Sequence, residues 1–286
     1  MKLSLLIALL IVCSGCFNGE RSDTVQSVAL VNRISETYPD ESGNTVESRY
    51  KPPTGFERIE SEESSFAEYL RNLPLKDVGS TVRYFNGSTK ENRNVYSGVV
   101  DLEIGDRDLH QCADAIMRLR AEYLWKQKRF DEIHFNFTNG FRVDYAKWME
   151  GNRVVVERNK TFWRNSAAPA NDYDTFWKYL EIIFSYAGTL SLSEELNSVP
   201  AEKMEIGDVF IQGGSPGHAV IVVDMAVNED KGQKMFMLAQ SYMPAQEIQI
   251  LVNPNDRSSG SWYSLDFGET LITPEWTFQK GDLKRF

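Results

Sequence analysis

Two side chains able to make and break covalent bonds as a pair, a thiol and an imidazole, are both scarce in this chain. Cysteine occurs at positions 13, 16 and 112, and histidine at 110, 134 and 218. Cys112 lies in the segment Leu109 to Lys126. There Leu109, Cys112, Ala113, Ile116, Leu119 and Tyr123 recur at three- and four-residue steps, the period of a helix with one apolar face. A thiol is a useful nucleophile only as thiolate. A helix N-terminus, a nearby histidine and partial exposure favour that form. Cys112 is expected about one turn into the helix, where free backbone N–H groups stabilise negative charge on sulfur and can receive an oxyanion. The blander alternative is a buried structural cysteine, packed as a small hydrophobe.

The base must come from one of three histidines. His110 is two residues from Cys112, and on a helix that spacing points the side chains apart. His134 falls on the polar face of an alternating strand, Ile133 to Phe137, with Phe135 on the other face. His218 follows the loop Gly213-Gly214-Ser215-Pro216-Gly217 and opens the apolar run His218 to Asp224, where a site residue held by a rigid scaffold is expected. A base histidine also needs an orienting partner. If Asn228 to Gln233 is a turn, the return strand Met235 to Tyr242 brings Gln240 near His218. Gln240 is therefore the expected orienter, with Tyr242 in reserve or as a substrate helper. Asp224 shares His218's face by parity, but six residues at strand rise is about 20 Å, out of reach. Gln111 is the expected helper of the oxyanion.

These residues need elements to hold them. Phe66, Tyr69, Leu70 and Leu73 sit at helical spacing before Pro74, and Phe176 to Tyr186 reads as a helix ended by Gly188. Asp108 followed by Gln111 fits the start of the Cys112 helix as an acidic cap with a glutamine three residues on. Val82 to Phe85 and Tyr96 to Ile104 read as strands around the Asn86-Gly87 turn. Val209 to Gln212, His218 to Asp224, Met235 to Tyr242, Gln246 to Val252 and Glu269 to Ile272 follow as strands. Helices gathered early and strands gathered late predict an α+β domain.

The ends and the composition bound the setting. Lys2 precedes an apolar or small run from Leu3 to Cys13 that is too short for a permanent span of about 20 residues, so residues 1–15 read as a secretory signal. Residues 16–50 are polar and read as a tether, and 51–286 as a single globular domain. The formal charge is −10, and −11 once Lys2 leaves; with a pI near 5.0 nothing favours nucleic acid. Cys112 is left with no intramolecular disulfide partner once Cys13 is removed and Cys16 is otherwise used. The scattered histidines lack metal-ligand spacing, and Gly213-Gly214 lacks the lysine of a phosphate loop, so no metal and no cofactor is expected. Nothing in the sequence sets an oligomeric state.

Ser14-Gly15-Cys16 resembles a bacterial lipobox, with Cys13 standing where that motif usually carries an aliphatic residue. The resemblance implies a lipid on Cys16 that holds the protein to a membrane surface outside the cytoplasm without crossing it. Gly207-Asp208-Val209-Phe210-Ile211, a short loop, then Gly217-His218-Ala219-Val220-Ile221 resembles the signature of NlpC- and CHAP-type amidases. These are papain-like enzymes, many of which cut peptide bonds in bacterial cell walls. The chain order Cys112, His218, Gln240 is similar to theirs, although His110-Gln111-Cys112-Ala113-Asp114 departs from their usual Asp-Cys-Ser. The resemblance implies a papain-like fold, with a helix carrying the cysteine ahead of an antiparallel sheet carrying the histidine. It also implies a cysteine amidase or peptidase acting on cell-wall peptide or another envelope amide. Over nearly its whole globular length the chain also resembles a bacterial lipoprotein family catalogued as domain of unknown function 4846. That likeness rests on Gln111-Cys112-Ala113-Asp114-Ala115, Tyr186-Ala187-Gly188-Thr189-Leu190-Ser191-Leu192 and Ala239-Gln240-Ser241-Tyr242-Met243-Pro244-Ala245-Gln246. The rival expectation is a non-catalytic peptide- or glycan-binding lipoprotein, with Trp148, Trp262, Tyr263 and Trp276 as stacking surfaces.

Overall fold

The computed structural model describes residues 39–158 and 160–286; the expected signal (1–15), Cys16 and the tether as far as residue 38 lie outside the described residues. Packing begins earlier than the polar composition suggests. Val46–Arg49 forms helix α1, with Thr45 Oγ1 accepting the Ser48 N–H as its cap. Val46 and Tyr50 are buried in the main core, and Arg49 donates to the carbonyls of Gly43 and Lys76. The polar side chains before Pro52 bond to backbone here, so the folded domain includes residues assigned by composition to the tether.

Five longer-range helices follow: α2 (Phe66–Arg71), α3 (Cys112–Lys126), α4 (Tyr145–Met149), α5 (Tyr173–Tyr186) and α6 (Thr189–Glu195). In chain order the strands are β1 (Glu57–Arg58), β2 (Tyr96–Val99), the hairpins β3 (His134–Asn136) with β4 (Arg142–Asp144) and β5 (Asn152–Glu157) with β6 (Lys160–Asn165), then β7 (Asn197–Ser198), β8 (Val209–Gln212), β9 (His218–Asn228), β10 (Gln233–Gln240), β11 (Gln249–Leu251), β12 (Trp262–Ser264), β13 (Thr270–Ile272), β14 (Thr277–Gln279) and β15 (Leu283–Arg285). The central sheet runs β2-β11-β10-β9-β8-β15-β7, with β1 added on β9 and β12 on β10. Its pairings are antiparallel, and the fold is α+β. Val82–Phe85 contributes only isolated bridges, from Arg83 to Thr89 and from Tyr84 to Gln246, and β2 stops at Val99.

The sheet is covered on both faces, which explains why β9 reads as a continuous apolar run. Val209, Ile211, Ala219, Ile221, Val223, Met237 and Ala239 point to the core shared with α3 and α5. Phe210, Val220, Val222, Phe236 and Leu238 point to a second core closed by Tyr263, Leu271 and Phe278. Alternation within each strand serves both cores at once. The start of α3 and the start of β9 therefore meet at one end of a sheet buried on both sides. No described helix is long and apolar enough to cross a membrane.

Candidate active site

Cys112 is the first helical residue of α3, three positions nearer the start than the apolar spacing predicts. The cap is not Asp108. Gln111 holds the extended cap conformation, and its backbone N–H donates to Asp114 Oδ2 at 3.0 Å. Asp108 instead accepts from Gln111 Nε2 at 3.1 Å and from the Ala245 N–H at 2.7 Å, tying the helix start to the segment after β10. The free N–H groups of the first turn consequently surround the sulfur itself.

That setting does not leave a standing thiolate. The backbone N–H groups of Ala113, Ala219 and Cys112 favour the anion, but burial and the Asp114 carboxyl outweigh them and push the thiol up to about 11. The thiol is 6% exposed. The expectation of a depressed pKa is corrected: the same enclosure that aims N–H groups at sulfur strips its water. Asp114 is itself held well above the usual carboxylate range by burial, and its Oδ1 has no hydrogen-bond partner.

His218 stands at the first position of β9 and is 1% exposed. The glycines before it are required by close approach. A Cβ on Gly217 would lie 2.4 Å from Thr189 Oγ1 and 2.7 Å from the Gln212 carbonyl, and one on Gly213 would lie 2.2 Å from Ser193 Oγ. The loop is thereby pressed onto α6. The imidazole packs among Tyr242, Trp276 and Phe278, with ring centroids 4.7, 5.4 and 5.9 Å away. Burial, and then the charge of Lys90, push His218 down to about 4 against the support of Gln240. Besides the Asp114 carboxyl, three backbone N–H groups act on the sulfur, and that of Ala219 brings it against the residue that follows His218.

Gln240 reaches His218 because the ladder slips. The β9–β10 register steps from Met237–Asp224 to Leu238–Val222 and skips Val223. Without that bulge Gln240 would stand opposite Ile221, whose side chain enters the α3 core. With it, Gln240 Oε1 lies 2.8 Å from His218 Nε2. The bulge also overturns the parity of Asp224. This residue pairs with Met237 on the other face, and Arg71 and Arg58 hold it at 2.6 and 2.7 Å.

Behind Gln240 stands a pair that sequence spacing does not reveal. Gln240 Nε2 donates to Glu275 Oε2 at 2.7 Å, and Lys90 Nζ donates to the same oxygen at 2.6 Å. Lys90 also donates to Gln246 Oε1 at 3.1 Å. Its positions in the chain, 35 residues beyond Gln240 for Glu275 and 156 before Gln246 for Lys90, carry no local signal.

A cavity of about 430 Å³ opens beside the thiol, walled by the cap residue Gln111, by Cys112 and Asp114 from α3, by Thr189 from α6 and by Gly214–Gly217. Met243, 53% exposed, stands at its lip. His110 is elsewhere: it is fully buried edge-on to Phe184, with Nδ1 3.4 Å from the Gln246 carbonyl. His134 sits partly exposed on its hairpin, 3.6 Å from Glu195. Trp148, Trp262 and Tyr263 are buried in the cores, and Trp276 packs on His218, so these four do not form an open stacking surface. Among the described residues no cluster of three or more His, Cys, Asp or Glu side chains is arranged to hold a metal ion.

Residues 46–285 match the family described as "Domain of unknown function (4846)", and the chain belongs to that family. No curated protein and no solved structure matches it.

Proposed function

We propose that this member of the family is a cysteine hydrolase of papain-like architecture, held in the bacterial cell envelope through a lipid on Cys16 and acting on cell-wall peptide or another envelope amide. One observation carries the reading. The thiol of Cys112 lies at the head of α3 against the Ala219 N–H, on the wall of a cavity, and His218, the residue before Ala219 in the chain, has its ring held through Nε2 by Gln240. Thiol and imidazole are both uncharged at rest, so the nucleophile forms during attack. The thiol proton passes to His218 as sulfur bonds to the amide carbon, and the N–H groups at the head of α3 hold the oxyanion. The imidazolium then gives that proton to the leaving nitrogen as the C–N bond breaks. Water, deprotonated by His218, releases the acyl group from sulfur and restores the thiol. Gln111, braced by Asp108, borders the cavity as a helper, and the Tyr242 ring packs against that of His218.

The raised pKa of the thiol supports a second reading, a peptide-binding lipoprotein with a structural cysteine. An activated acyl donor separates the two. With p-nitrophenyl acetate, intact-mass analysis should find one acetyl group on Cys112 that turns over, and His218→Ala should slow acylation by about 10²–10⁴, the usual weight of a general base. Acylation that ignores His218, or that never reaches Cys112, would leave the binding reading.

A further inference from the structure

His218 is useful as a base only if the nitrogen turned from Gln240 carries a lone pair. That depends on the direction of one amide. An amide presents an acceptor oxygen on one side and a donor NH2 on the other, and the two are interchangeable by a flip. Glu275 removes the choice. Its Oε2, already accepting from the Lys90 ammonium at 2.6 Å, is an ionised acceptor and takes a second hydrogen bond from Gln240 at 2.7 Å. Gln240 must therefore turn its NH2 toward Glu275 and its oxygen toward His218. An oxygen at 2.8 Å requires the proton on Nε2, which leaves Nδ1 unprotonated.

We propose that Glu275 is a positioning residue which, through Gln240, fixes His218 in its Nε2–H tautomer, and that Lys90 keeps Glu275 in place for this. Lys90 is buried, and it bridges Glu275 to Gln246 while its ammonium lies 5.7 Å from the Tyr242 ring centre. Its charge is held by neighbours on both sides. Glu275 also pairs with Lys90, the cation whose charge disfavours an imidazolium at His218. The proposal takes from the hydrolase reading only that His218 is the base; the tautomer exists and is measurable whether or not any bond is cut.

The test uses the full-length protein labelled with ¹⁵N-histidine, whose three imidazoles are assigned by comparison with His218→Ala. Long-range ¹H–¹⁵N spectra at pH 7 distinguish a protonated ring nitrogen from a bare one. Wild type should show Nε2 protonated and Nδ1 bare. Glu275→Ala should lower the Nε2–H to Nδ1–H ratio by roughly ten- to a hundredfold, the scale of one charge-assisted hydrogen bond. Glu275→Gln, which keeps an acceptor oxygen, should restore the wild-type ratio and the rate of Cys112 acylation with it. Glu275 is partly exposed, so truncation encloses no void, and the signals of wholly buried His110 report whether the fold is intact. Should Glu275→Ala lose them, Glu275→Asp, which draws the carboxylate back from Gln240, is read by the same criterion. Nδ1–H in wild type, or a ratio left unmoved by Glu275→Ala (or by Glu275→Asp where it replaces that variant), overturns the proposal. A tautomer that shifts as expected in a protein that never acylates Cys112 overturns the hydrolase reading alone.

Discussion

Raising the pH should wake the Cys112 thiol much later than it wakes an ordinary cysteine. Burial and the neighbouring Asp114 hold it at about 11, against 9.0 for an unperturbed thiol. Two pH units correspond to about 2.7 kcal/mol of preference for the protonated form. At pH 7 the thiolate fraction is then about 10⁻⁴ rather than about 10⁻², and alkylation by iodoacetamide should run roughly a hundredfold slower than at an exposed cysteine. The rate should climb until about pH 11. Asp114→Asn removes a group that raises the thiol, so its midpoint should lie lower and its neutral-pH rate higher. His218 is uncharged above about pH 4, so His218→Ala should leave the high-pH midpoint in place. It should instead abolish the slow pH-independent rate, between about pH 5 and 8, that proton transfer to the ring supplies. The assay is mass-spectrometric quantification of the peptide containing Cys112 over pH 5 to 11, which separates it from Cys13 and Cys16. A wild-type midpoint at or below about 8.5 would refute the reasoning that enclosure dominates the N–H groups.

Two further outcomes follow from buried charge. Asp224→Ala leaves the Arg71 guanidinium, whose side chain is 5% exposed, without its carboxylate, so the protein should lose about 3–5 kcal/mol in urea unfolding; an unchanged midpoint would remove this ion pair from the account. His218 falls to about 4 in the folded protein from 6.5, so the unfolded chain binds the extra proton first and stability declines as pH drops from about 6.5 through 4. About 3 kcal/mol of that decline belongs to His218, and the urea midpoint of His218→Gln should vary less over this window than that of wild type.

The sequence alone identified the helix that carries Cys112, the strand that His218 opens, the return strand bearing Gln240 and the α+β class. Each is a local signal: apolar residues at steps of three and four, runs bounded by glycine loops, and a turn that brings two strands side by side. Where helix α3 starts was not local, because the Asp108 carboxylate is occupied by the Ala245 N–H, 137 residues on, and Gln111 takes the cap position instead. Nor was the face on which Asp224 lies, since one skipped residue at Val223 reverses the parity of everything beyond it. Glu275 and Lys90 were invisible for a simpler reason. They come from distant segments, and only the closed sheet brings them behind Gln240. The state of the thiol was furthest from reach. Spacing places Cys112 at a helix start, which favours a thiolate, but the sulfur is buried there and burial outweighs the N–H groups. Desolvation is a property of everything that surrounds an atom, so the fold, and not the spacing, decided that the sulfur rests as a thiol.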